Sequence, residues 1–156
     1  MRRTALVTGA AGFIGSHLVE ALLADGWCVR ALARYNSRSD RGWLNSVSVP
    51  DDADLQVVFG DVADPHQMRR TVEGVDFVFH LAALIGIPYS YVSPLAYIKT
   101  NTEGTYNVLE AARKIDVQRV VHTSTSEVYG TAQYVPIDER HPVNPQSPYA
   151  ASKAGA

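Results

Sequence analysis

The 156-residue sequence has a single cysteine, no apolar run of membrane-spanning length and no marked excess of either charge. One thiol cannot form an internal disulfide, so Cys28 is interpreted as a buried structural residue of a reducing compartment. The net charge of -2 provides no long-range attraction to nucleic acid or to an anionic membrane. Met1 is followed almost directly by an apolar strand, without the apolar segment and cleavage site of a secretion signal. These absences predict a cytoplasmic protein with no nucleic-acid or membrane partner.

Clusters of metal ligands are also missing. His80 follows an apolar run, and no second ligand stands near it at the spacing of a metal site. We therefore interpret His80 as a structural histidine at the end of a strand, and we predict no metal.

A glycine-rich turn lies close to the start of the chain, where Gly9, Gly12 and Gly15 separate an apolar run from a helical pattern. Glycines in this order permit a tight turn, the approach of backbone N–H groups to a pyrophosphate, and close packing of the helix on its strand. Phe13 and Ile14 belong to the same predicted cofactor site. The buried face of the helix is predicted from residues at helical spacing: Phe13, Ile14, Leu18, Ala21 and Leu22. An ordinary glycine-rich turn is the alternative, because the spacing is G-x-x-G-x-x-G rather than G-x-G-x-x-G.

Apolar strands alternate with helical patterns along the whole chain. Strands are predicted at Ala5–Val7, Trp27–Leu32, Leu55–Phe59, Val75–Phe79 and Val117–Val121. A short helix is predicted from Asp64-Pro65, and the longest helix from Ser93-Pro94 to about Lys114. The alternation predicts an α/β fold with a doubly wound parallel sheet of strand order 3-2-1-4-5.

Three features leave alternatives open. The polar stretch 39–54 is predicted as a loop, with or without a short helix around Trp43. The stretch Leu84–Val92 is apolar, aromatic and irregular, and either lines a substrate pocket or packs under the core. Asn101 interrupts the longest helix, either as a polar bridge to a neighbouring loop or as a mild fault.

The segment after the second strand contains no carboxylate. In dinucleotide folds an acidic residue here binds the adenosine ribose hydroxyls, whereas basic residues accommodate a 2′-phosphate. The segment instead carries Arg34, Ser37 and Arg38, which can donate hydrogen bonds to a phosphate. These residues favour NADP, with NAD as the alternative, and a solvated loop is the competing interpretation of the arginines.

Further cofactor contacts are predicted at the carboxyl ends of two strands, where ligands collect in open parallel sheets. Asp61 and Val62 follow the third strand, and Asp61 is a candidate acceptor for the adenine amino group. Leu81, Ala82 and Ala83 follow the fourth strand. This segment of mostly small residues would let the cofactor lie across the strand ends.

A tyrosine and a lysine stand four residues apart near the end of the sequence. On a helix, Tyr149 and Lys153 share one face, so the ammonium group favours the tyrosinate form and helps it act as a base near neutral pH. A hydroxyl group from His122–Gly130, after the fifth strand, would hold a substrate oxygen beside that phenol. The Y-x-x-x-K spacing alone is common, and it becomes specific only in combination with the glycine turn and the hydroxyl-rich strand end.

Five motifs together carry a resemblance to a known family: Thr8–Gly15, His80–Ala83, Asn101–Thr105, Ser124–Gly130 and Ser147–Lys153. Over its whole length the chain resembles an extended short-chain dehydrogenase/reductase of the nucleotide-sugar epimerase/dehydratase family. The resemblance implies a Rossmann-like NAD(P)-binding domain over residues 1–156, a nucleotide-sugar substrate and a homodimer of the full-length protein.

The resemblance also implies roles for single residues. Tyr149 would remove the proton of the sugar O4 hydroxyl while hydride passes from C4 to nicotinamide. Lys153 would tune Tyr149 and bind the nicotinamide ribose, so that both residues belong to the cofactor site as well. Thr125 matches the family's catalytic serine or threonine, and Asn101 matches its structural amide, beside the cofactor.

The two residues after Thr125 determine which reaction the oxidised sugar undergoes next. Dehydratases of thymidine or uridine sugars usually carry Asp-Glu here, the acid and base of water elimination, whereas this chain carries Ser126 and Glu127. Glu127 can abstract the C5 proton, but Ser126 is a poor acid for the leaving hydroxyl. GDP-mannose dehydratases show a similar Thr-Ser-Glu, and UDP-glucuronate decarboxylases also show Ser-Glu. The wider run most resembles 4,6-dehydratases of nucleotide-linked N-acetylglucosamine, so a 4,6-dehydratase ranks before a 4-epimerase or a decarboxylase.

The sequence ends inside the helix that carries Tyr149 and Lys153, whereas members of the family continue into a C-terminal substrate domain. We therefore expect a chain truncated before that domain, derived from an active parent enzyme but without turnover by itself. A non-catalytic dinucleotide-binding fragment is the alternative from another class. An oxidoreductase acting on a lipid or alcohol fits less well, because Glu127 has no role in such a reaction.

Overall fold

The computed structural model of the chain describes residues 2–156, which fall into two units. The first unit consists of residues 2–82 and 104–123, and the second of residues 83–103 and 124–156. The α-helices are α1 (Phe13–Ala24), α2 (Pro65–Val72), α3 (Ile87–Val92), α4 (Pro94–Tyr97), α5 (Gly104–Ile115) and α6 (Pro148–Gly155). The other helical segments of the described residues are the 3-10 helices Gly42–Ser46 and Ser126–Tyr129 and the π-helix Ile98–Glu103.

The first unit is built on five parallel strands: β1 (Thr4–Thr8), β2 (Cys28–Arg34), β3 (Leu55–Gly60), β4 (Phe77–His80) and β5 (Arg119–His122). They form one sheet in the order β3-β2-β1-β4-β5, which confirms the α/β fold and the strand order predicted from the sequence. Thr8 pairs with Leu32 on one side and with His80 on the other, so these three strands end at one edge. In open parallel sheets, this carboxyl edge is where ligands bind.

Both faces of the sheet carry an apolar core. Successive side chains of a strand point to opposite faces, so Leu6 packs in one cluster while Ala5 and Val7 pack in the other. The Leu6 cluster contains side chains of α2 and α5, among them Met68, Val72, Val108 and Ala111. The second cluster contains side chains of α1, namely Val19, Leu22 and Leu23. Helices therefore cover both faces, as a doubly wound sheet requires.

The buried face of α1 differs in part from the prediction. Its buried residues are Gly15, Ser16, Val19, Leu22 and Leu23. Leu22 lies there as expected and Leu18 is partly buried, but Phe13 and Ile14 are 60% and 67% exposed, and Ala21 is exposed. The prediction was wrong for the first turn because Gly15 and Ser16, rather than Phe13 and Ile14, face the sheet there. The exposed apolar residues of that turn lie beside the glycines.

The second unit contains α3, α4, the π-helix and α6. The stretch Leu84–Val92, predicted as irregular, is helical from Ile87 onwards. Pro88 stands in the first turn of α3, where a missing N–H group costs no hydrogen bond. Ile85, Tyr89 and Tyr91 are exposed, so their side chains do not pack under the core of this unit.

Helical residues follow one another from Pro94 to Ile115, close to the predicted span of the longest helix. The short helix predicted around Trp43 is the 3-10 helix Gly42–Ser46. Within residues 2–156, no helix combines the length and the apolar character needed to cross a bilayer. The same residues contain no group of three His, Cys, Asp or Glu side chains arranged to hold a metal ion.

Candidate active site

The glycine turn joins β1 to α1 in the first unit. Gly9 has a positive φ of 69°, and a Cβ atom at this position would lie 2.8 Å from the Ala82 nitrogen. The N–H group of Gly12 donates to the Gly9 carbonyl at 3.1 Å, which closes the turn. Gly12 precedes α1 without a side-chain cap, and the first turn of α1 carries no acidic residue. The Gly12 N–H group is used within the turn, but the N–H groups of the first turn of α1 remain available to an anion, and the glycine turn fits the pyrophosphate of a dinucleotide.

Gly15 offers a direct test of this close packing. A Cβ atom at Gly15 would clash with the Gly9 carbonyl oxygen and lie 2.8 Å from the Ala10 Cα atom. Because both neighbours are backbone, Gly15→Ala is expected to destabilise the chain by about 2 kcal/mol, measured by urea unfolding. The control is Gly155→Ala, where the added atom would lie 3.4 Å from Thr102 and the stability should not fall. Equal stability of the two variants would contradict the close packing of α1 on the turn.

Thr8 anchors the end of β1 to the end of β4, a role that the sequence did not suggest. Its hydroxyl oxygen accepts the N–H groups of Leu81 at 3.2 Å and Ala82 at 3.1 Å. The hydroxyl hydrogen is therefore left to donate to Nδ1 of His80, at 2.7 Å. The network thus assigns the His80 proton to Nε2, which lies 2.9 Å from the Thr105 hydroxyl. His80 is a buried structural residue, as predicted, and it holds the segment that starts at Leu81.

The adenosine end of the predicted cofactor site lies past β2 and β3. The Arg34 guanidinium stands 4.0 Å from the Asp61 carboxylate; the Arg34 side chain is largely exposed and the Asp61 side chain about half exposed. Ser37 and Arg38 lie in an exposed loop, where the side chain of Asn36 accepts the Arg38 N–H group. Val62 differs from its predicted neighbours, because its side chain is buried in the apolar cluster and its carbonyl accepts the side-chain amide of Asn107 at 3.1 Å.

In the second unit, α6 carries Tyr149 and Lys153 one turn apart on the same face. The helix begins at Ser147, whose hydroxyl accepts the N–H group of Ala150 at 3.0 Å, as a cap followed by proline predicts. Lys153 is only 6% exposed, and burial lowers the pKa of its ammonium group below the ordinary value. Tyr149 is partly buried. The helix therefore presents a phenol and a buried amine together on one face.

A buried asparagine fixes the position of α6 within its unit. Asn101, in the π-helix, bonds Leu84 in both directions, accepting its N–H group at 2.8 Å and donating to its carbonyl at 3.0 Å. The same amide donates to the Ser152 hydroxyl at 2.8 Å. That hydroxyl donates in turn to the Tyr149 carbonyl at 2.7 Å. The polar bridge predicted for Asn101 is confirmed, and π-helical turns of this kind are frequent at functional sites.

Tyr97 is a second buried support that the sequence did not reveal. Its side chain is fully buried, and its hydroxyl lies 2.7 Å from the Ile85 carbonyl and 2.9 Å from the Gly86 carbonyl. Its ring meets that of Tyr149 edge to face, with centroids 6.2 Å apart. Tyr97 therefore braces both the loop before α3 and the phenol of Tyr149.

The segment after β5 supplies the remaining predicted catalytic residues. Thr125 caps the 3-10 helix Ser126–Tyr129, with its hydroxyl oxygen accepting the Glu127 N–H group at 3.3 Å. Thr125 is partly buried, whereas Ser126 and Glu127 are exposed. The 3-10 helix packs against α6 in the same unit. The structure thus brings Thr125, Ser126 and Glu127 together with the helix of Tyr149 and Lys153.

The predicted site residues divide between the two units. The second unit holds all five predicted catalytic residues together with Ala83 and Asn101. The first unit holds the remaining predicted dinucleotide residues: Gly9, Gly12, Phe13, Ile14, Gly15, Arg34, Ser37, Arg38, Asp61, Val62, Leu81 and Ala82.

Residues 6–156 match the protein family described as GDP-mannose 4,6 dehydratase. The chain belongs to this family. The match confirms the resemblance to nucleotide-sugar epimerases and dehydratases that the motifs indicated.

Relatives of this member of the GDP-mannose 4,6 dehydratase family carry several names. The chain is 39% identical over 155 residues to the dTDP-glucose 4,6-dehydratase of Streptomyces antibioticus, and the match covers 97% of this chain and 46% of the relative. It is 42% identical over 151 residues to the UDP-glucose 4-epimerase of Mycolicibacterium smegmatis, covering 95% and 47% of the two chains. The chain spans about half the length of the curated relatives it matches.

A solved structure shares the fold of this family member. The crystal structure of DesIV, a dTDP-glucose 4,6-dehydratase from Streptomyces venezuelae with NAD and TYD bound, superposes with a TM-score of 0.87 at 40% identity. The match covers 97% of this chain and 48% of DesIV. It supports the Rossmann-like architecture and shows that a structural neighbour binds NAD.

Proposed function

We propose that the chain is the N-terminal part of a nucleotide-sugar 4,6-dehydratase, with residues 1–156 as its nicotinamide-dinucleotide-binding domain. The observation that carries this proposal is that the predicted catalytic residues lie together in the second unit. Tyr149 and buried Lys153 share one face of α6, and the segment with Thr125 and Glu127 packs against that helix. The names of the relatives support the same class of substrate.

The dinucleotide would be held by the N–H groups at the glycine turn, and its adenosine by the ends of β2 and β3. When bound, its nicotinamide supplies the acceptor for the hydride of sugar C4 and later the donor of that hydride. The glycine turn binds and orients the phosphates, while the anchored segment after Thr8 and His80 keeps the neighbouring backbone in place.

The side chains of the second unit would handle the protons. Tyr149, as tyrosinate, removes the O4 proton while the C4 hydride leaves, and the positive charge of Lys153 stabilises that tyrosinate. Thr125 donates a hydrogen bond to the same sugar oxygen. The resulting C4 ketone acidifies the C5 proton, which Glu127 takes as the C6 hydroxyl departs with a proton as water. Ser126 is a poor source of that proton, so solvent or another acid must supply it. The C5–C6 double bond left by the elimination would then take the hydride back at C6 and a proton at C5 from Glu127, which gives the 4-keto-6-deoxy sugar.

The proposal is tested with the longer parent protein in the presence of NAD. It is incubated in three separate reactions with dTDP-glucose, UDP-N-acetylglucosamine or UDP-glucuronate. A 4,6-dehydratase converts its substrate to a 4-keto-6-deoxy sugar, which mass spectrometry detects as the loss of one water. A decarboxylase acting on the glucuronate instead releases carbon dioxide. Unchanged nucleotide sugars, together with oxidation of a simple alcohol, would overturn the proposal.

A 4-epimerase is the second candidate, and Ser126 is the observation that favours it. An epimerase needs Tyr149 for oxidation and reduction at C4 but needs no acid for a leaving hydroxyl. The 42% identity to a UDP-glucose 4-epimerase agrees with this alternative. In the same assay an epimerase leaves the mass unchanged and inverts C4, which proton NMR of the sugar distinguishes from dehydration.

For the cofactor we propose NAD, against the preference for NADP that Arg34 and Arg38 suggested from the sequence. DesIV contains NAD, and here the Arg34 guanidinium already stands 4.0 Å from the Asp61 carboxylate. A negative charge at Asp61 would repel a 2′-phosphate. We expect Asp61→Asn to improve the affinity for NADP relative to NAD by about threefold, measured by calorimetry, because exposed charge interactions are weak. Asp51→Asn is the control, and an unchanged ratio in both variants would contradict this role of Asp61.

The parent protein is further proposed to be a cytoplasmic homodimer. Its helices support the dimer, because Leu95 and Ile98 are 64% and 45% exposed in one unit and Leu109 of α5 is 43% exposed in the other. Exposed apolar side chains on helices are typical of subunit contacts. A monomeric mass of the parent protein in sedimentation would exclude the dimer. A parent that binds NAD but converts no sugar would instead be a dinucleotide-binding protein without turnover.

A further inference from the structure

The 3-10 helix Gly42–Ser46, called here the Trp43 segment, touches the glycine turn from outside and has no part in the proposed catalytic function. The main-chain N–H group of Trp43 donates to the Ala11 carbonyl at 3.0 Å. Ala11 lies inside the turn, between Gly9 and Gly12. The carbonyl and N–H groups of a trans peptide point in opposite directions, so the bond to Ala11 also holds the Gly12 N–H group on the Gly9 carbonyl, the contact at 3.1 Å that closes the turn.

Gly42 brings the two backbones into close contact. It has a positive φ of 58°, and an added Cβ atom would lie 2.6 Å from the Ala11 carbonyl oxygen and 3.3 Å from the Ala11 Cβ atom. An alanine at this position would therefore push directly on the phosphate-binding turn. Gly26 is a matched contrast, since its φ of 78° is also positive but an added Cβ atom meets nothing within 4 Å.

The indole of Trp43 makes a second contact with the start of α1. Its ring meets that of Phe13 edge to face, with centroids 5.6 Å apart and an interplanar angle of 77°. Both side chains remain more than half exposed. Phe13 is the first residue of α1, and its N–H group is one of those that the helix itself leaves unsatisfied.

The other side of the Trp43 segment is fixed to the body of the unit. Leu44 is buried in the apolar cluster that also contains side chains of α1 and β2. The carboxylate of Asp40 accepts the N–H group of Gly42 at 2.9 Å and the side-chain amide of Asn45 at 3.0 Å. The segment is thus anchored in the core and presses its Gly42–Trp43 edge on the glycine turn.

We infer that Gly42 and Trp43 are positioning residues for the phosphates of a bound dinucleotide, acting through Ala11 and Phe13 on the N–H groups of the glycine turn. This inference rests on the proposed dinucleotide site. A turn that is braced before binding loses less conformational freedom on binding, so the brace raises affinity without touching the ligand. Because the indole packs on the first residue of α1, the fluorescence of Trp43 should change when a dinucleotide occupies the turn.

Calorimetric titration of the 156-residue chain with NAD tests the backbone contact. Gly42→Ala is expected to weaken NAD binding by about tenfold, because the added atom displaces the turn. Gly26→Ala should keep the wild-type dissociation constant even if its unfolding temperature changes, since its surroundings are open. Equal dissociation constants for Gly42→Ala and Gly26→Ala would overturn the inference.

The aromatic contact is tested with the two tryptophans of the chain. Trp43→Ala is expected to weaken NAD binding by about threefold to tenfold, and Trp43→Phe, which keeps an aromatic ring, by less than about twofold. In Trp27→Phe, the fluorescence of Trp43 should change when NAD is added. The dissociation constant from this fluorescence titration should equal the one from calorimetry. Trp43→Phe should give no fluorescence change, because Trp27 packs on Phe77 just before β2, at the end of the sheet opposite the glycine turn.

A fluorescence change that survives in Trp43→Phe, or wild-type affinity in Trp43→Ala, would overturn the role of Trp43. Failure of the wild-type chain to bind NAD saturably would overturn the dinucleotide site itself and this inference with it. The two failures are distinguishable, because the first leaves NAD binding intact.

Discussion

Replacing Tyr149 by phenylalanine in the parent protein is expected to lower turnover of its nucleotide sugar by about a thousandfold, the scale of losing a general base. The phenylalanine keeps the ring that meets Tyr97 edge to face, so the chain should still fold. It lacks the phenol oxygen that takes the O4 proton in the proposed mechanism, so C4 oxidation would not begin. Steady-state kinetics with NAD present provides the measurement.

Tyr106→Phe is the matched control for this variant. Tyr106 lies on α5 with 64% of its surface exposed, and its substitution should leave turnover and stability near the wild-type values. NAD binding of Tyr149→Phe should also remain close to wild type, which separates a chemical loss from a binding loss. Turnover of Tyr149→Phe comparable to that of Tyr106→Phe would remove Tyr149 from the mechanism.

Glu127→Gln is expected to lower formation of the 4-keto-6-deoxy sugar by about a hundredfold, because glutamine cannot accept the C5 proton. Oxidation at C4 should continue, since Tyr149 and Lys153 are intact. Enzyme-bound NADH absorbance would then build up without loss of water from the sugar. In deuterium oxide, the rate of exchange of the C5 proton should fall by the same factor as the rate of dehydration.

Glu139→Gln serves as the control, because Glu139 is also exposed and lies in the same unit. The pair of variants also separates the two candidate functions. For a 4-epimerase, Glu127→Gln should retain near wild-type inversion at C4, because no C5 proton is removed. Dehydration that persists at the wild-type rate in Glu127→Gln would require another base.

Local sequence patterns were sufficient for much of the fold and for the proposed chemistry. The glycine turn, the strands and the Tyr149–Lys153 pair all depend on short spacings, and a strand or a helix converts a spacing directly into a shared face or turn. The strand order followed from the alternation of elements and was confirmed by the sheet. The helical pattern wrongly placed Phe13 and Ile14 on the buried face of α1, because apolar residues in the first turn of a helix need not face the core.

The supporting residues were not predictable from such patterns. Thr8 bonds His80, Ser152 bonds Asn101, and Tyr97 bonds the Ile85 carbonyl. Serine, threonine and tyrosine hydroxyls have no periodic signature, and two of these bonds join residues more than fifty positions apart. Val62 likewise matched a strand-end position in the sequence, yet the fold turns its side chain into the core.

The single hydroxyl of Thr8 has a consequence for the exchange of backbone hydrogens with solvent. It accepts the N–H groups of Leu81 and Ala82, just past the last residue of β4. The Leu81 N–H group also donates to the Thr8 carbonyl at 3.3 Å, so Thr8 alone holds both amides at this edge. Their exchange rates should therefore report how often β1 detaches from its neighbour at this edge, a local opening far smaller than global unfolding. Two amide signals in a heteronuclear spectrum would thus record the opening and closing of the sheet edge beside the glycine turn.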